Sequence, residues 1–270
     1  MKILFCGDVV GKAGRKLVLS YLPKLREKFE LDFVIVNGEN AAHGFGISPK
    51  IYNLFVTAGT DVITLGNHSF DKADIFPILD SADNIIRPMN YPENTIGKGF
   101  TIVKSASGVR VAVVQLLGNV FMRTANSAFE SMQKWLQTYK KGLDYDVLVV
   151  DFHAEATAEK VALGHYLDGH AALVVGTHTH IPTADAHVLS GGTAYISDVG
   201  MCGDYDSVIG MKKETAFPRF LTEAKKSRLE PAEKNSTFCA VAVDVDEKTG
   251  SAREIFPLRL GQILENTHEV

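Results

Sequence analysis

The most constraining feature of this chain is a pattern that occurs five times: an apolar, strand-like run followed directly by polar side chains that can bind metal. The five runs end at Asp8, at Glu39 and Asn40, at Asn67 and His68, at His153, and at His178 and His180. Residues 33–36, 147–150 and 172–175 are apolar throughout, which is typical of parallel strands buried on both faces. Five such strand ends predict a metal site along one edge of a sheet.

Helical patterns lie between these strands. Apolar residues recur at helical spacing over residues 12–29, and Ser48 followed by Pro49 predicts the start of a second helix. We expect further helices over residues 126–139 and 156–166. The order strand, helix, strand predicts right-handed crossovers within a parallel sheet.

A hairpin and several later strands are expected in the rest of the chain. Residues 100–104 and 110–116 flank Ser107 and Gly108, which predicts a hairpin. Later strands are expected near residues 186–189, 193–197, 238–245 and 252–258, and Gly191-Gly192 predicts a tight hairpin turn between two of them. This inventory predicts an α/β fold, a two-sheet sandwich flanked by helices. Because ligands between residues 8 and 180 must meet in space, we expect a single domain over residues 1–270.

Composition restricts the class of protein. Hydrophobic residues make up 46% of the chain, and no run approaches the roughly 18 apolar residues of a membrane span. Lys2 leads into a strand that Asp8 interrupts, without a secretory pattern, so we expect a cytoplasmic protein. Cys6, Cys202 and Cys239 are far apart, which predicts small buried side chains rather than a disulfide framework. A net charge of -4 predicts no duplex nucleic-acid partner.

The candidate metal ligands combine oxygen and nitrogen atoms and include no thiolate. They are the carboxylates of Asp8 and Glu39, the amides of Asn40 and Asn67, and the imidazoles of His153, His178 and His180. Seven ligands are too many for one ordinary transition-metal ion but suit two ions that share a bridging carboxylate, with iron, manganese and zinc all compatible. Two such ions about 3.5–4 Å apart can activate water and clamp a phosphoryl group, so phosphoester hydrolysis is the expected chemistry.

The histidines invite more specific predictions. His68 is not needed to complete either coordination sphere, so we assign it as the general acid that protonates a departing alkoxide. His178 and His180 are one residue apart, and alternation along an extended segment would point both imidazoles to the same side. His43, in the segment His43-Gly44-Phe45-Gly46 close to Glu39, is a candidate for lining a substrate pocket, although a residue outside the site is the commoner explanation.

These motifs resemble those of the calcineurin-like metallophosphoesterase superfamily. The resemblance is carried by Gly66-Asn67-His68, by the isolated His153, and by Gly176-Thr177-His178-Thr179-His180. It implies a four-layer α/β/β/α fold and a catalytic role for His68. It further implies that Asn67, His153 and His178 bind one metal and that His180 binds the other.

Two departures narrow the resemblance. The usual Asp-x-His motif is Asp8-Val9-Val10 here, and the usual Gly-Asp motif is Gly38-Glu39-Asn40. Glu39 would then be the bridging carboxylate, and Asn40 would replace the missing histidine on the first metal. Together with residues 151–157 and 198–201, this combination is similar to the YmdB-like branch of bacterial phosphodiesterases. The resemblance implies homo-oligomers that use iron to hydrolyse cyclic nucleoside monophosphates, 2′,3′-cyclic ones in particular.

Other functions fit the same ligands. A phosphoprotein phosphatase or a nuclease could use the same two-metal chemistry, although the composition shows no basic groove for a nucleic-acid strand. A regulator could hold a nucleotide on the metals without hydrolysing it. Because His68 is present and Asn40 can replace the lost ligand, the sequence favours the enzyme.

Overall fold

The computed structural model describes residues 1–122, 125–221 and 228–267. Its strands are β1 (Lys2–Cys6), β2 (Asp8–Val9), β3 (Phe33–Asn37), β4 (Val62–Thr64), β5 (Ile85–Ile86), β6 (Phe100–Lys104), β7 (Arg110–Leu117), β8 (Val147–His153), β9 (Leu173–Thr177), β10 (His187–Val188), β11 (Ala194–Ile196), β12 (Met201–Asp204), β13 (Ser236–Asp246) and β14 (Ser251–Gly261). Its α-helices are α1 (Gly11–Lys28), α2 (Pro49–Thr57), α3 (Phe76–Ser81), α4 (Ala128–Thr138), α5 (Thr157–Tyr166), α6 (Lys213–Ala216) and α7 (Pro218–Leu221).

The strands form two sheets. In the first sheet the order is β2-β12-β13-β1-β3-β4-β5, with β14 paired to β13. In the second sheet the order is β10-β11-β9-β8-β7-β6. The predicted hairpins are confirmed, because β6 pairs with β7 and β10 with β11 in antiparallel fashion. The four predicted helices correspond to α1, α2, α4 and α5.

Alternating side chains of the strands divide the core into layers. In β1, Leu4 belongs to a cluster with residues of α1 and α2. Its neighbour Phe5 belongs to a cluster that joins the two sheets. In β8, Val149 packs in this cluster between the sheets, whereas Leu148 packs with residues of α4 and α5. The resulting layers are helix, sheet, sheet and helix, as predicted. The extent of a single domain over residues 1–270 remains a prediction.

Parallel pairing brings the polar strand ends together. β1, β3 and β4 are mutually parallel neighbours in the first sheet, and β8 is parallel to β9 in the second. Their carboxyl ends precede or contain the predicted ligands, as expected for sites at the carboxyl edge of such sheets. Within the described residues, no helix combines the length and apolar character needed to cross a membrane.

Candidate metal centre

The polar strand ends of both sheets meet at one cavity of about 410 Å³, within the usual range of ligand pockets. Of the predicted site residues, those that line it are Glu39, Asn40, His68, His178 and His180. Asp8 and His153 are fully buried. Asp8 contacts the backbone of His178, and His153 contacts the imidazole of His178. The predicted residues therefore occupy one connected region.

His153 lies at the centre of one set of predicted ligands. Its Nε2 atom is 3.1 Å from Glu39 Oε1 and 3.0 Å from Asn67 Oδ1. The same atom is 3.0 Å from His178 Nδ1. One ligand atom each from Glu39, His153 and His178 lies within 4.8 Å of the others. Atoms at these separations could bind one ion together.

Gly66, the first residue of the Gly-Asn-His motif, permits this close approach. A Cβ atom at position 66 would lie 2.2 Å from Glu39 Oε2 and 2.6 Å from His153 Nε2. Both distances are far shorter than any van der Waals contact. A residue larger than glycine would therefore displace the carboxylate or the imidazole.

The other predicted set of ligands is Asp8, Asn40 and His180. Asp8 Oδ2 accepts a hydrogen bond of 3.2 Å from the backbone nitrogen of His178, and Asn40 Nδ2 donates to the Gly44 carbonyl at 3.0 Å. The other side-chain oxygens, Asp8 Oδ1 and Asn40 Oδ1, are buried and have no hydrogen-bond partner among the described residues. Unpartnered buried oxygens are costly unless a cation binds them. This feature fits a metal ion.

His178 and His180 do not lie on an extended strand, so that part of the prediction is wrong. β9 ends at Thr177, and φ is 97° at His178 and 69° at His180. Left-handed backbone at such residues costs roughly 1–3 kcal/mol each and persists only where the surroundings fix it. The buried Asp198 fixes this loop, because its Oδ2 accepts hydrogen bonds from Thr179 N at 3.1 Å and Thr179 Oγ1 at 2.7 Å. Both imidazoles nevertheless face the cavity.

Each imidazole also has a second polar contact. His153 Nδ1 lies 2.8 Å from Thr177 Oγ1, which donates to Asp151 Oδ1 at 2.7 Å. His178 Nε2 is 3.2 Å from Glu155 Oε2. His180 Nδ1 is 2.9 Å from the carbonyl of Ile209. Such outer contacts fix the tautomer and orientation of metal-binding imidazoles.

His68 is held differently from the other histidines. Its Nδ1 is 2.7 Å from Asp71 Oδ2, and its backbone nitrogen donates to Glu39 Oε2 at 3.0 Å. The ring packs edge-on against Phe45, with centroids 5.0 Å apart. Asp71 thus orients the imidazole while His68 lines the cavity, which is the arrangement a proton donor needs.

The charges of the site favour a cation beside His153. Burial alone would lower the pKa of His153, but Glu39, Asp8 and Asp151 raise it to about 9. Burial alone would raise the pKa of Glu39, but His153 and further contacts hold it at about 2. Burial, together with His153, lowers the pKa of His178 to about 3. Carboxylates that stabilise one protonated imidazole so strongly would also stabilise a metal cation.

Sequence reasoning missed several residues that support the site. Asp151 carried a usable signal, since it is an acidic residue that follows four apolar residues of the buried strand β8. Asp71 and Ile209 carried none, because their contacts with His68 and His180 depend on loop conformation. His43 is exposed and lies outside the cavity, whereas its neighbours Gly44 and Phe45 line it.

The chain is similar in sequence to proteins of a known family. A family model described as YmdB-like protein matches residues 4–258. The chain belongs to the YmdB-like family. A 2′,3′-cyclic-nucleotide 2′-phosphodiesterase of Bacillus subtilis is 48% identical to the chain over 255 residues, which are 94% of this chain and 95% of that protein.

Two solved structures are similar to this YmdB-like chain over almost its whole length, each with a TM-score of 0.90. One is a hypothetical protein from Thermus thermophilus, 40% identical, where the match covers 97% of this chain and 100% of the other. The other is a novel phosphatase from Mycoplasma pneumoniae, 33% identical, where the match covers 97% and 94%. At these sequence identities the likeness to both structures extends beyond the fold alone.

In this YmdB-like chain, valine stands at position 10, where the Asp-x-His motif has its histidine. The side chain of Val10 is buried in a small apolar cluster with Met201 and Met211, an environment that would be costly for an imidazole ligand. Asn40 is buried, lines the cavity, and has a side-chain oxygen without a hydrogen-bond partner among the described residues. The local packing is therefore consistent with a ligand supplied by Asn40 rather than by position 10.

Proposed function

We propose that this protein is a phosphodiesterase that hydrolyses cyclic nucleoside monophosphates, with 2′,3′-cyclic substrates favoured, at a centre of two metal ions. The observation that carries the proposal is the convergence of the predicted oxygen and nitrogen ligands with His68 at one cavity. The 48% identity with a 2′,3′-cyclic-nucleotide 2′-phosphodiesterase supports the choice of substrate.

The ligands divide into two sets that share Glu39. Asp8, Asn40 and His180 would hold the first ion, and Asn67, His153 and His178 would hold the second. Carboxylate, amide and imidazole donors without a thiolate suit iron, which we favour, and also manganese or zinc. When bound, such ions polarise the phosphoryl oxygens and activate water.

His68 supplies the proton that the reaction requires. Opening the cyclic ester forms a bond between a water oxygen and phosphorus and breaks one bond from phosphorus to a ribose oxygen. The departing ribose oxygen takes a proton from His68 as its bond to phosphorus breaks. The proton that the attacking water gives up is released to solvent, from which His68 is protonated again. The contact between His68 Nδ1 and Asp71 holds the ring so that its other nitrogen is available to the cavity.

The cellular setting is also part of the proposal. Cys6, Cys202 and Cys239 are free and buried, as expected for small apolar side chains, and this usage is compatible with a reducing cytoplasm. The assembly of the chain into homo-oligomers rests on the family resemblance. Sedimentation of the purified protein would test it directly.

The test is a substrate screen with protein loaded with iron or manganese. We expect release of a nucleoside monophosphate from 2′,3′-cyclic nucleotides, and loss of this activity after chelation and its return with added metal. No product from any 2′,3′- or 3′,5′-cyclic nucleotide would refute the proposal. Equal turnover of phosphopeptides would favour a phosphatase, and tight binding without turnover would favour a regulator.

A further inference from the structure

The cavity has two chemically different walls. One wall carries the candidate metal ligands and His68. The other consists mainly of apolar side chains, among them Phe45, Ile209, Met211 and Phe220, although Arg219 also lines the cavity. A phosphate group uses only the first wall, so the metal chemistry leaves the second unexplained.

The apolar wall begins next to the proposed acid. The ring centroid of Phe45 is 5.0 Å from that of His68, in an edge-on arrangement. A group that lies against Phe45 is thus about one ring away from the proton donor. In a nucleotide one sugar ring separates the phosphate from the base, so a base that lies against Phe45 would stay near the reacting phosphate.

The loop that carries Ile209 is held in a costly conformation. Ile209 has φ of 46°, which is unusual for a β-branched residue and indicates backbone strain. Its carbonyl contacts His180 Nδ1 at 2.9 Å, while its side chain is 49% exposed at the cavity. One residue therefore contacts a candidate ligand and also contributes to the apolar wall.

Phe220 adds a second aromatic ring to this wall. It is 78% exposed to solvent, although it lines the cavity. Large aromatic side chains exposed beside a ligand cavity are typical of binding surfaces. Flat, apolar aromatic surfaces bind nucleobases by stacking, and they do so with little dependence on the base sequence.

We propose that the wall formed by Phe45, Ile209, Met211 and Phe220 is the nucleobase subsite of the enzyme. This inference rests on the proposed phosphodiesterase activity and adds the residues that select a nucleotide over other phosphoesters. These four side chains offer apolar contacts that suit the faces of purine and pyrimidine bases, and the charged side chains of Glu155 and Arg219 line the same cavity.

The experiment compares two substrates that share the same reacting group. One is 2′,3′-cyclic AMP, and the other is 1-O-methylribose 2,3-cyclic phosphate, which has no base. The variants are Phe45→Ala and Phe220→Ala, with Phe45→Tyr as the conservative variant. Phe121→Ala is the matched control, since Phe121 is 90% exposed and lies outside the cavity.

We expect each alanine variant to lower kcat/KM for 2′,3′-cyclic AMP by roughly 5- to 150-fold, the range for stacking one base on an aromatic ring. The loss should be mainly in KM for Phe220→Ala. The base-free substrate should be affected less than threefold by Phe220→Ala, and Phe45→Tyr should retain the wild-type preference for the nucleotide. Phe121→Ala should behave as wild type with both substrates.

A second readout is independent of turnover. Adenosine should give saturation-transfer NMR signals from its base protons with the wild-type protein and weaker signals with Phe220→Ala. If both substrates slow by the same factor in both alanine variants, or if the wild type prefers neither substrate, the subsite is wrong while the phosphodiesterase stands. If the wild type cleaves neither substrate, the proposed function itself has failed.

Discussion

The two sheets contribute to the candidate metal centre in different ways. The first sheet supplies oxygen atoms, two of which, on Asp8 and Asn40, have no hydrogen-bond partner among the described residues. The second sheet supplies imidazoles, and each of His153, His178 and His180 has a second polar contact through its ring. The oxygen side is therefore left open for a cation, whereas the nitrogen side is held in place.

This difference follows from the chemistry of the ligands. An imidazole binds metal through one nitrogen only when the other carries the proton, so a partner for the second nitrogen sets both tautomer and orientation. A carboxylate or amide oxygen has two lone pairs and no tautomer to select. We therefore expect substitutions of the oxygen ligands to remove metal ions directly. Substitutions of residues that contact the imidazoles should lower metal affinity by smaller factors.

Glu39 lies where the two sheets meet, so its removal should have the largest effect. Two unit charges 4 Å apart repel by about 4 kcal/mol at an effective dielectric constant of 20, and the ions carry at least twice that charge each. Glu39→Ala should therefore lower metal affinity by more than about 10³-fold and abolish cyclic-nucleotide turnover. Metal analysis after dialysis measures the loss. Near-normal metal content in a folded Glu39→Ala protein would show that Glu39 is not the bridge.

His68 follows β4 of the first sheet, and we expect it to act at the site without binding metal. His68→Ala should keep its metal while turnover of 2′,3′-cyclic AMP falls by roughly 10²–10⁴, the usual contribution of general acid catalysis. A p-nitrophenyl phosphodiester has a good leaving group and should slow much less. His187→Ala, at an exposed histidine of β10, is the matched control. Loss of metal would make His68 a ligand, and equal slowing of both substrates would make it a phosphate-positioning residue.

Asn40 isolates the oxygen side. Asn40→Ala should cost the protein one ion per chain while the second ion stays bound by His153 and its neighbours, because Asn40 belongs only to the first set. The affinity loss for that ion should exceed the roughly 10–100-fold that is typical of an outer contact. Asn40→Asp keeps an oxygen ligand and should retain both ions. Equal weakening of both ions in Asn40→Ala would contradict the division into two sets.

Thr177 isolates the nitrogen side and should have the smallest effect of the four. Thr177→Val removes the hydroxyl between His153 Nδ1 and Asp151, so metal affinity should fall by roughly 10–100-fold. Thr60→Val is the matched control, since Thr60 is buried and its hydroxyl has no partner among the described residues. If calorimetric titration finds the same metal affinity in Thr177→Val as in the wild type, the His153 imidazole does not need this contact.

Much of this architecture could be predicted from the sequence because it depends on local patterns. The apolar runs identified β3, β8 and β9, and strand polarity placed Glu39 and His153 at the carboxyl ends of their strands, which belong to different sheets. Helical spacing similarly located α1, which begins one residue before the predicted stretch.

Other features depend on contacts between distant segments and gave no local signal. The short pair of β2 and β12 forms because residues about 190 apart meet in space. The left-handed conformations at His178 and His180 depend on Asp198 rather than on their own sequence spacing. The apolar wall combines residues from separate segments of the chain, so no periodicity could have revealed it.

The most direct test of the central claim is anomalous diffraction from crystals of the manganese-loaded protein. The account predicts two anomalous peaks per chain, both in contact with Glu39. One should lie against Asp8, Asn40 and His180, and the other against Asn67, His153 and His178. A single peak, a peak coordinated by His68, or two peaks that do not share Glu39 would contradict a centre built jointly by the two sheets.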